Sequence, residues 1–292
     1  YRRQRQMCIR DSYVIGCGRM AAVGIMILVI LVVLFVLFPF LDRKGCGRLI
    51  RRICIVLMRV LGVRMSIKGR VPLPASADCG VNENGAGYMV CANHVSFIDI
   101  FILDAVLPCR FVAKKEIASW PVFGFIAKGT GTLFIDRTRK RAVLEIADAM
   151  RGAISEGTNV LFFPEGTTGN GLELLPFHPN LFEAAVRSGA EILPVTLRYT
   201  LDGKPSGLVS YAGNVALFTV LKRILFTPGL GVEVTVLYPI AAAGKTRQAL
   251  CLETSALMSA SLGVADATAQ REAMRLRRLQ AMSERQDADQ AI

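Results

Sequence analysis

Tyr88-Met89-Val90-Cys91-Ala92-Asn93-His94-Val95-Ser96-Phe97-Ile98-Asp99 is the stretch on which the fold turns. Tyr88–Ala92 is a short apolar run of the kind that forms a buried strand. Asn93 and His94 break it, and a helical pattern of apolar residues begins near Phe97. The same succession of strand, loop and helix recurs along the chain. Further strands are expected at Arg64–Lys68, Arg110–Ala113, Thr132–Ile135, Asn159–Phe163, Ile192–Tyr199 and Val232–Tyr238. Helices are expected near 97–107, 139–155, 179–188 and 245–262. Such alternation argues for an α/β sheet with helices on its faces. Pro194, inside an apolar run, is expected to place its strand at a sheet edge or at a bulge. Residues 72–87 are rich in Pro, Ala, Gly and Asn and read as an exposed loop.

Working outward, the chain of 292 residues carries 35 Lys and Arg against 23 Asp and Glu, a net charge of +12. Where the charge sits decides what it means. Residues 71–263 hold 16 cations and 16 anions, and residues 264–292 hold five of each. The excess lies upstream: nine cations face one anion between Asp42 and Arg70. A neutral α/β region leaves no footprint for a nucleic-acid backbone, so no nucleic-acid partner is expected. Met20–Leu41 is a run of 22 residues without a charge. At about 1.5 Å per residue it spans about 33 Å, enough to cross a bilayer, and it is longer than a signal-peptide core. The basic belt follows it directly, which places the rest of the chain in the cytoplasm under the positive-inside rule. The belt would also attract anionic lipid. Leu49, Ile50, Ile53, Ile55, Val56, Leu57, Val60 and Leu61 among its cations suggest a second, interfacial helix.

Five segments are therefore expected. Residues 1–12, with the run Gln6–Ser12, resemble a translated sequencing-adapter scar and are set apart from the fold. Residues 13–41 form the N-terminal transmembrane anchor, 42–63 the basic interfacial helix and 64–263 the α/β domain. Residues 264–292 form a polar tail, a frayed helix or disordered. Eight Cys and two His supply no C-x-x-C pair or ligand cluster, so no metal site is expected and the thiols read as small apolar residues.

Four groups of residues carry chemistry. In Asn93–Asp99, His94 is a natural general base near neutral pH. Five residues on, Asp99 would lie about 140° away on an ideal helix. The pair can meet only if His94 sits in the loop before the helix and Asp99 in its first turn, with Ser96 near the N-cap. Asp99 could then orient the imidazole and stabilise its cation; a capping box, Ser96-x-x-Asp99, is the plainer reading. In Gly131-Thr132-Leu133-Phe134-Ile135-Asp136-Arg137 a strand delivers an Arg fork suited to phosphate. In Phe163-Pro164-Glu165-Gly166-Thr167 a loop exposes amides and one carboxylate, and the amides around Gly166–Thr168 could receive an oxyanion. Leu193-Pro194-Val195, the fourth, carries little by itself.

In order and kind the four resemble the conserved blocks of the PlsC-like 1-acyl-glycerol-3-phosphate and lysophospholipid acyltransferase family, over roughly residues 64–240. His94 and Asp99 match H-x-x-x-x-D, Gly131 through Arg137 match G-x-x-F-I-D-R, and Phe163 through Thr167 match F-P-E-G-T. The resemblance implies a mixed sheet flanked by helices. It also implies transfer of a fatty acyl group from an acyl-carrier-protein or coenzyme A thioester to a lysolipid hydroxyl, without a further cofactor. It makes His94 the base, Asp99 its orienting partner, and Arg137 and Glu165, with Gly166 and Thr167, the residues at the acceptor's phosphate-bearing head. One departure concerns the acceptor. Many members follow the third block with a Phe-Lys-x-Gly run, where this chain has Pro176-Phe177-His178-Pro179. That feature, the Thr167-Thr168-Gly169-Asn170-Gly171 run and the single anchor resemble the branch that acylates lyso-ornithine lipids. A non-catalytic adaptor binding anionic lipid through residues 43–70 is the alternative of another class.

Overall fold

At the centre of this fold, Met89–Ala92 and Val160–Phe162 are buried at every position, so both faces of their sheet are covered. A computed structural model describes residues 2–72, 82, 85–136, 142–213 and 215–290. Its elements run α1 (Arg2–Val36), α2 (Arg43–Leu61), β1 (Arg64–Lys68), β2 (Met89–Ala92), α3 (Asp99–Val106), β3 (Arg110–Lys114), α4 (Phe123–Gly129), β4 (Leu133–Ile135), α5 (Ala142–Ser155), β5 (Val160–Phe162) and α6 (Phe182–Ser188). They continue with β6 (Ile192–Leu201), β7 (Lys204–Pro205), α7 (Leu217–Phe226), β8 (Leu230–Val236), α8 (Arg247–Leu262) and α9 (Ala267–Gln290). The strands form one mixed sheet in the order β1-β8-β6-β2-β5-β3-β4, with β7 beside β6. β6, β2, β5, β3 and β4 run parallel, and β8 runs against β6. In β2, Val90 and Ala92 face a core shared with Met58, Leu61, Ile102, Val220 and Ile224. Met89 and Cys91 face the other way, toward Met150, Phe182, Leu250 and Cys251. This period of two makes both faces apolar, as a parallel sheet between helical layers requires. The α/β architecture expected from the alternation is therefore present.

Most expected elements form within a few residues of their bounds. α4, α7 and the two-residue β7 were not among them. In the polar tail, Ala267–Gln290 forms one continuous helix of 24 residues, α9. Its start is fixed by Asp266, whose Oδ1 accepts the amides of Thr268 and Ala269 at 3.0 Å each. Pro194 does not lie at an edge. β6 is central, with Pro194 beside Cys91 of β2. The partner β8 instead breaks register: Val195 pairs with Val236, but Ile192 pairs with Ile240, one residue out of step. Leu237 donates to the Pro194 carbonyl at 2.9 Å, and the proline nitrogen faces this offset, where no donor is needed.

α2 is capped at both ends. Asp42 accepts the Gly45 amide at 2.8 Å, and Gly62 closes the helix with φ 72°. Leu57 and Leu61, read as facing a membrane, are instead buried with Cys54 and Met58 against the domain. Lys44, Arg48, Arg52 and Arg59 remain exposed. The span Tyr13–Phe40, which takes in most of α1 and the short turn after it, has mean hydropathy 3.4 and is long and apolar enough to cross a membrane and mostly exposed. It is also seated on the domain. Tyr13 meets the Phe226 ring edge-on at 5.4 Å, Arg19 donates to the Leu225 carbonyl at 3.2 Å, and Val23 joins the core. Farther along, Leu34 lies against Gly129, where an added Cβ would come within 3.2 Å of it.

Candidate active site

Five parallel strands of this sheet end at the same edge, and the chain's candidate chemistry gathers where β2 and β5 leave it, the common position for sites in α/β sheets. After Ala92 the backbone turns away and Asn93 ties the exit shut. Its side chain donates to the Leu197 carbonyl at 3.0 Å and accepts the Leu197 amide at 2.7 Å, standing in for a strand neighbour of β6. His94 follows with its main chain held twice. Its amide donates to Glu165 Oε1 at 2.7 Å and its carbonyl accepts the Gly169 amide at 2.7 Å. Its ring stacks on Phe163, with centroids 3.9 Å apart and planes 11° from parallel.

The ring meets Asp99 at 2.8 Å, Nδ1 to Oδ2. His94 lies in the loop and Asp99 at the first residue of α3. The same oxygen accepts the amides of Val95 at 2.6 Å and Ser96 at 2.9 Å. Half of a capping box is therefore present, a carboxylate reaching back to amides ahead of the helix. The other half is absent, because the buried Ser96 hydroxyl has no partner. Asp99 Oδ1 accepts a short hydrogen bond from the Tyr199 hydroxyl. Asp99 is 0% exposed, and four donors hold it. Burial, and then the charge of Asp99, push the Tyr199 phenol well above its ordinary range, so it stays a proton donor. With Nδ1 committed to Asp99, Nε2 is the nitrogen left to act, on a side chain still 20% exposed.

Phe163-Pro164-Glu165-Gly166 is a tight turn: the Gly166 amide donates to the Phe163 carbonyl at 3.2 Å, and Gly166 has φ 70°. Proline at the second position and glycine at the fourth suit such a turn. It aims Glu165 inward. One carboxylate oxygen takes the His94 amide and the other the Leu175 amide at 3.0 Å. Burial raises this carboxyl to about 8, against the lowering effect of those two amides. Thr167 is exposed, and Thr168 Oγ1 donates to the Tyr211 carbonyl at 2.8 Å. Tyr211 in turn donates its amide to the Val95 carbonyl at 2.9 Å. The two loops thus clasp the His94 segment. Arg137 lies outside the described residues; Asp136 just before it pairs with Lys115 at 3.5 Å.

The structure thus brings together His94, Asp99, Glu165 and Gly166. It adds three residues that sequence reasoning passed over: Tyr199, Phe163 as a stacking partner, and the Asn93 side chain as a clamp. Tyr199 alone left a hint, since a tyrosine in a core strand needs a partner for its hydroxyl. Among the described residues, no group of three or more His, Cys, Asp or Glu is placed to hold a metal.

Residues 66–198 match the model of the family described as Acyltransferase. The 1-acyl-sn-glycerol-3-phosphate acyltransferase of Neisseria gonorrhoeae is 41% identical over 191 residues, covering 65% of this chain and 72% of that one. The chain belongs to the acyltransferase family. This acyltransferase is also 37% identical over 183 residues to a lyso-ornithine lipid O-acyltransferase of Pseudomonas aeruginosa, covering 62% of this chain and 70% of that one. Its fold resembles the crystal structure of the 1-acyl-sn-glycerophosphate (LPA) acyltransferase PlsC from Thermotoga maritima. The TM-score is 0.64 at 19% identity, over 87% of this chain and 95% of that one.

Proposed function

We propose that this acyltransferase moves a fatty acyl chain from an acyl-carrier-protein or coenzyme A thioester to the hydroxyl of 1-acyl-glycerol-3-phosphate, giving phosphatidic acid. The observation that carries the reading is the 2.8 Å contact from His94 Nδ1 to a buried Asp99. It supports a tautomer with the proton on Nδ1 and a lone pair on Nε2. Nε2 takes the hydroxyl proton as the oxygen attacks the thioester carbonyl carbon, and Asp99 stabilises the imidazolium. The tetrahedral intermediate collapses, the C–S bond breaks, and the imidazolium returns its proton to the leaving thiolate. Gly166 and Gly169 have committed their amides to Phe163 and His94, so the Thr167 and Thr168 amides are the loop's remaining candidates for the oxyanion. Glu165 serves by fixing the His94 backbone, and Arg137 binds the acceptor phosphate. No further cofactor takes part.

The enzyme works at the inner membrane. α1 is its single-pass anchor, the basic belt of residues 43–70 meets anionic lipid, and the catalytic domain faces the cytoplasm. A second acceptor, lyso-ornithine lipid, is favoured by the relatives of that name and by His178 in place of a cation. The experiment offers both acceptors in competition to the membrane-bound enzyme with labelled acyl thioester. Preferential labelling of phosphatidic acid, lost in His94→Ala, is expected. Preference for the ornithine lipid would replace the acceptor, and undiminished turnover in His94→Ala would remove the base.

A further inference from the structure

β3 ends at Lys114 on the edge of the sheet from which His94 and Glu165 also emerge. The chain then makes a tight turn into α4 that no part of the chemistry above uses. Its side chains are large, apolar and turned outward: Trp120 is 44% exposed, Val122 37%, Phe123 36% and Phe125 50%. Isolated apolar residues on a surface are ordinary, but four within six positions form a patch. The backbone is built to present them. Val122 sits at φ 61°, a strained region for a β-branched residue. Phe123 donates to the Pro121 carbonyl at 2.6 Å, Gly124 to Trp120 at 2.9 Å and Ile126 to Val122 at 2.9 Å. Gly124 is required, because an added Cβ would lie 2.6 Å from the Ala118 carbonyl oxygen. Greasy side chains therefore point out from a turn in which the amides of Trp120, Phe123, Gly124 and Ile126 are paired within the segment, which lowers the cost of entering a phase without water.

Two further observations identify the phase. Lys114, Lys115 and Lys128 flank the turn and are exposed, against Glu116 as the one exposed anion among residues 110–130. Lys115 stays 67% exposed even with Asp136 beside it. Trp and Phe ringed by Lys suit the boundary between acyl chains and anionic headgroups. α4, which carries Phe123 and Phe125, also touches the apolar span of α1, where Leu34 lies against Gly129.

We propose that the Trp120–Phe125 turn is a second membrane contact, entering an anionic bilayer beside α1 on the edge of the sheet that carries His94. The proposal rests on the membrane reading above, and the test separates the two. Trp120 is the only tryptophan in the chain, so its fluorescence reports this turn alone. The full chain is reconstituted into vesicles of phosphatidylglycerol and phosphatidylcholine and floated on a density gradient. Emission is then read with brominated acyl chains in the lipid and with iodide in the water. A blue-shifted emission, quenched by the brominated chains and shielded from iodide, is expected, with the bromine quenching lost in Phe125→Asp. Protein that floats but keeps Trp120 open to iodide overturns the turn while leaving α1 as an anchor. Shielding from iodide without bromine quenching also overturns it, in favour of a protein contact. Failure to float removes the membrane reading and the turn together.

Discussion

At the scale of single residues, the site is defined by who holds Asp99. A carboxylate with no exposed surface needs a donor on each oxygen, and Tyr199 is the only side-chain donor to Oδ1 among the described residues. Tyr199→Phe deletes it at almost constant volume. Asp99 Oδ1 is then left buried without its side-chain donor, and the carboxylate's hold on the His94 ring loosens. kcat should fall about tenfold with KM for the acceptor little changed; steady-state kinetics of the variant reads this. Glu165 makes a different prediction. Its folded carboxyl titrates near about 8 against an ordinary 4.5, and Asp104, buried at the end of α3, is raised by burial from 3.8 to about 8. Between about pH 4.5 and 8 the unfolded chain has released protons that the folded chain still holds. Stability therefore falls as pH rises through that window, by up to about 1.4 kcal/mol per unit for each group, and levels off above it. Thermal melts from pH 5 to 9 should show the slope, and Glu165→Gln or Asp104→Asn should flatten part of it.

At the scale of elements, legibility followed the length of the pattern. β1 lies where its sequence placed it, at Arg64–Lys68, and α8 and α5 fall within a few residues of expectation because each offers several turns of periodicity. α4 has only seven residues, two of them glycine, too few to show a period. α7, Leu217–Phe226, is apolar enough to read as strand or helix, and only packing decides it. Of the two placements expected for Pro194, edge or bulge, the second holds: proline removes one donor on one side only, and the register offset in β8 asks for none there. The His94–Asp99 spacing was readable as geometry, whereas Tyr199, 100 residues beyond Asp99 along the chain, was not. α9 matters through its first turn. Thr268 Oγ1 accepts the amide of Phe177, and Arg271 donates to the Phe177 carbonyl. Phe177 sits beside His178, whose amide donates to Pro164 at 2.9 Å. Thr268→Val leaves a buried amide unpaired and should cost about 1–3 kcal/mol, seen as a lowered Tm.

At the scale of the molecule, the net charge does not describe the chemistry, since the region from residue 71 to 263 is neutral. α1, long and apolar enough to cross a membrane, is also part of the domain, because Val23 is in the core and Tyr13 covers Phe226. Deleting residues 13–41 should therefore release the protein from membranes only partly, as the basic belt remains, and should lower its thermal stability as well. Fractionation at physiological and raised salt, paired with a melt, checks both; complete release at physiological salt would count against the belt. The site itself is assembled from distant pieces. The His94 amide reaches Glu165 across 71 positions and Tyr199 reaches Asp99 across 100. None of these contacts forms until β5 and β6 have closed on β2. Loop-closure entropy makes such pairings late events in folding. A half-folded chain thus has no half-active site, and the return of turnover after denaturation is a clock for closure of the central sheet.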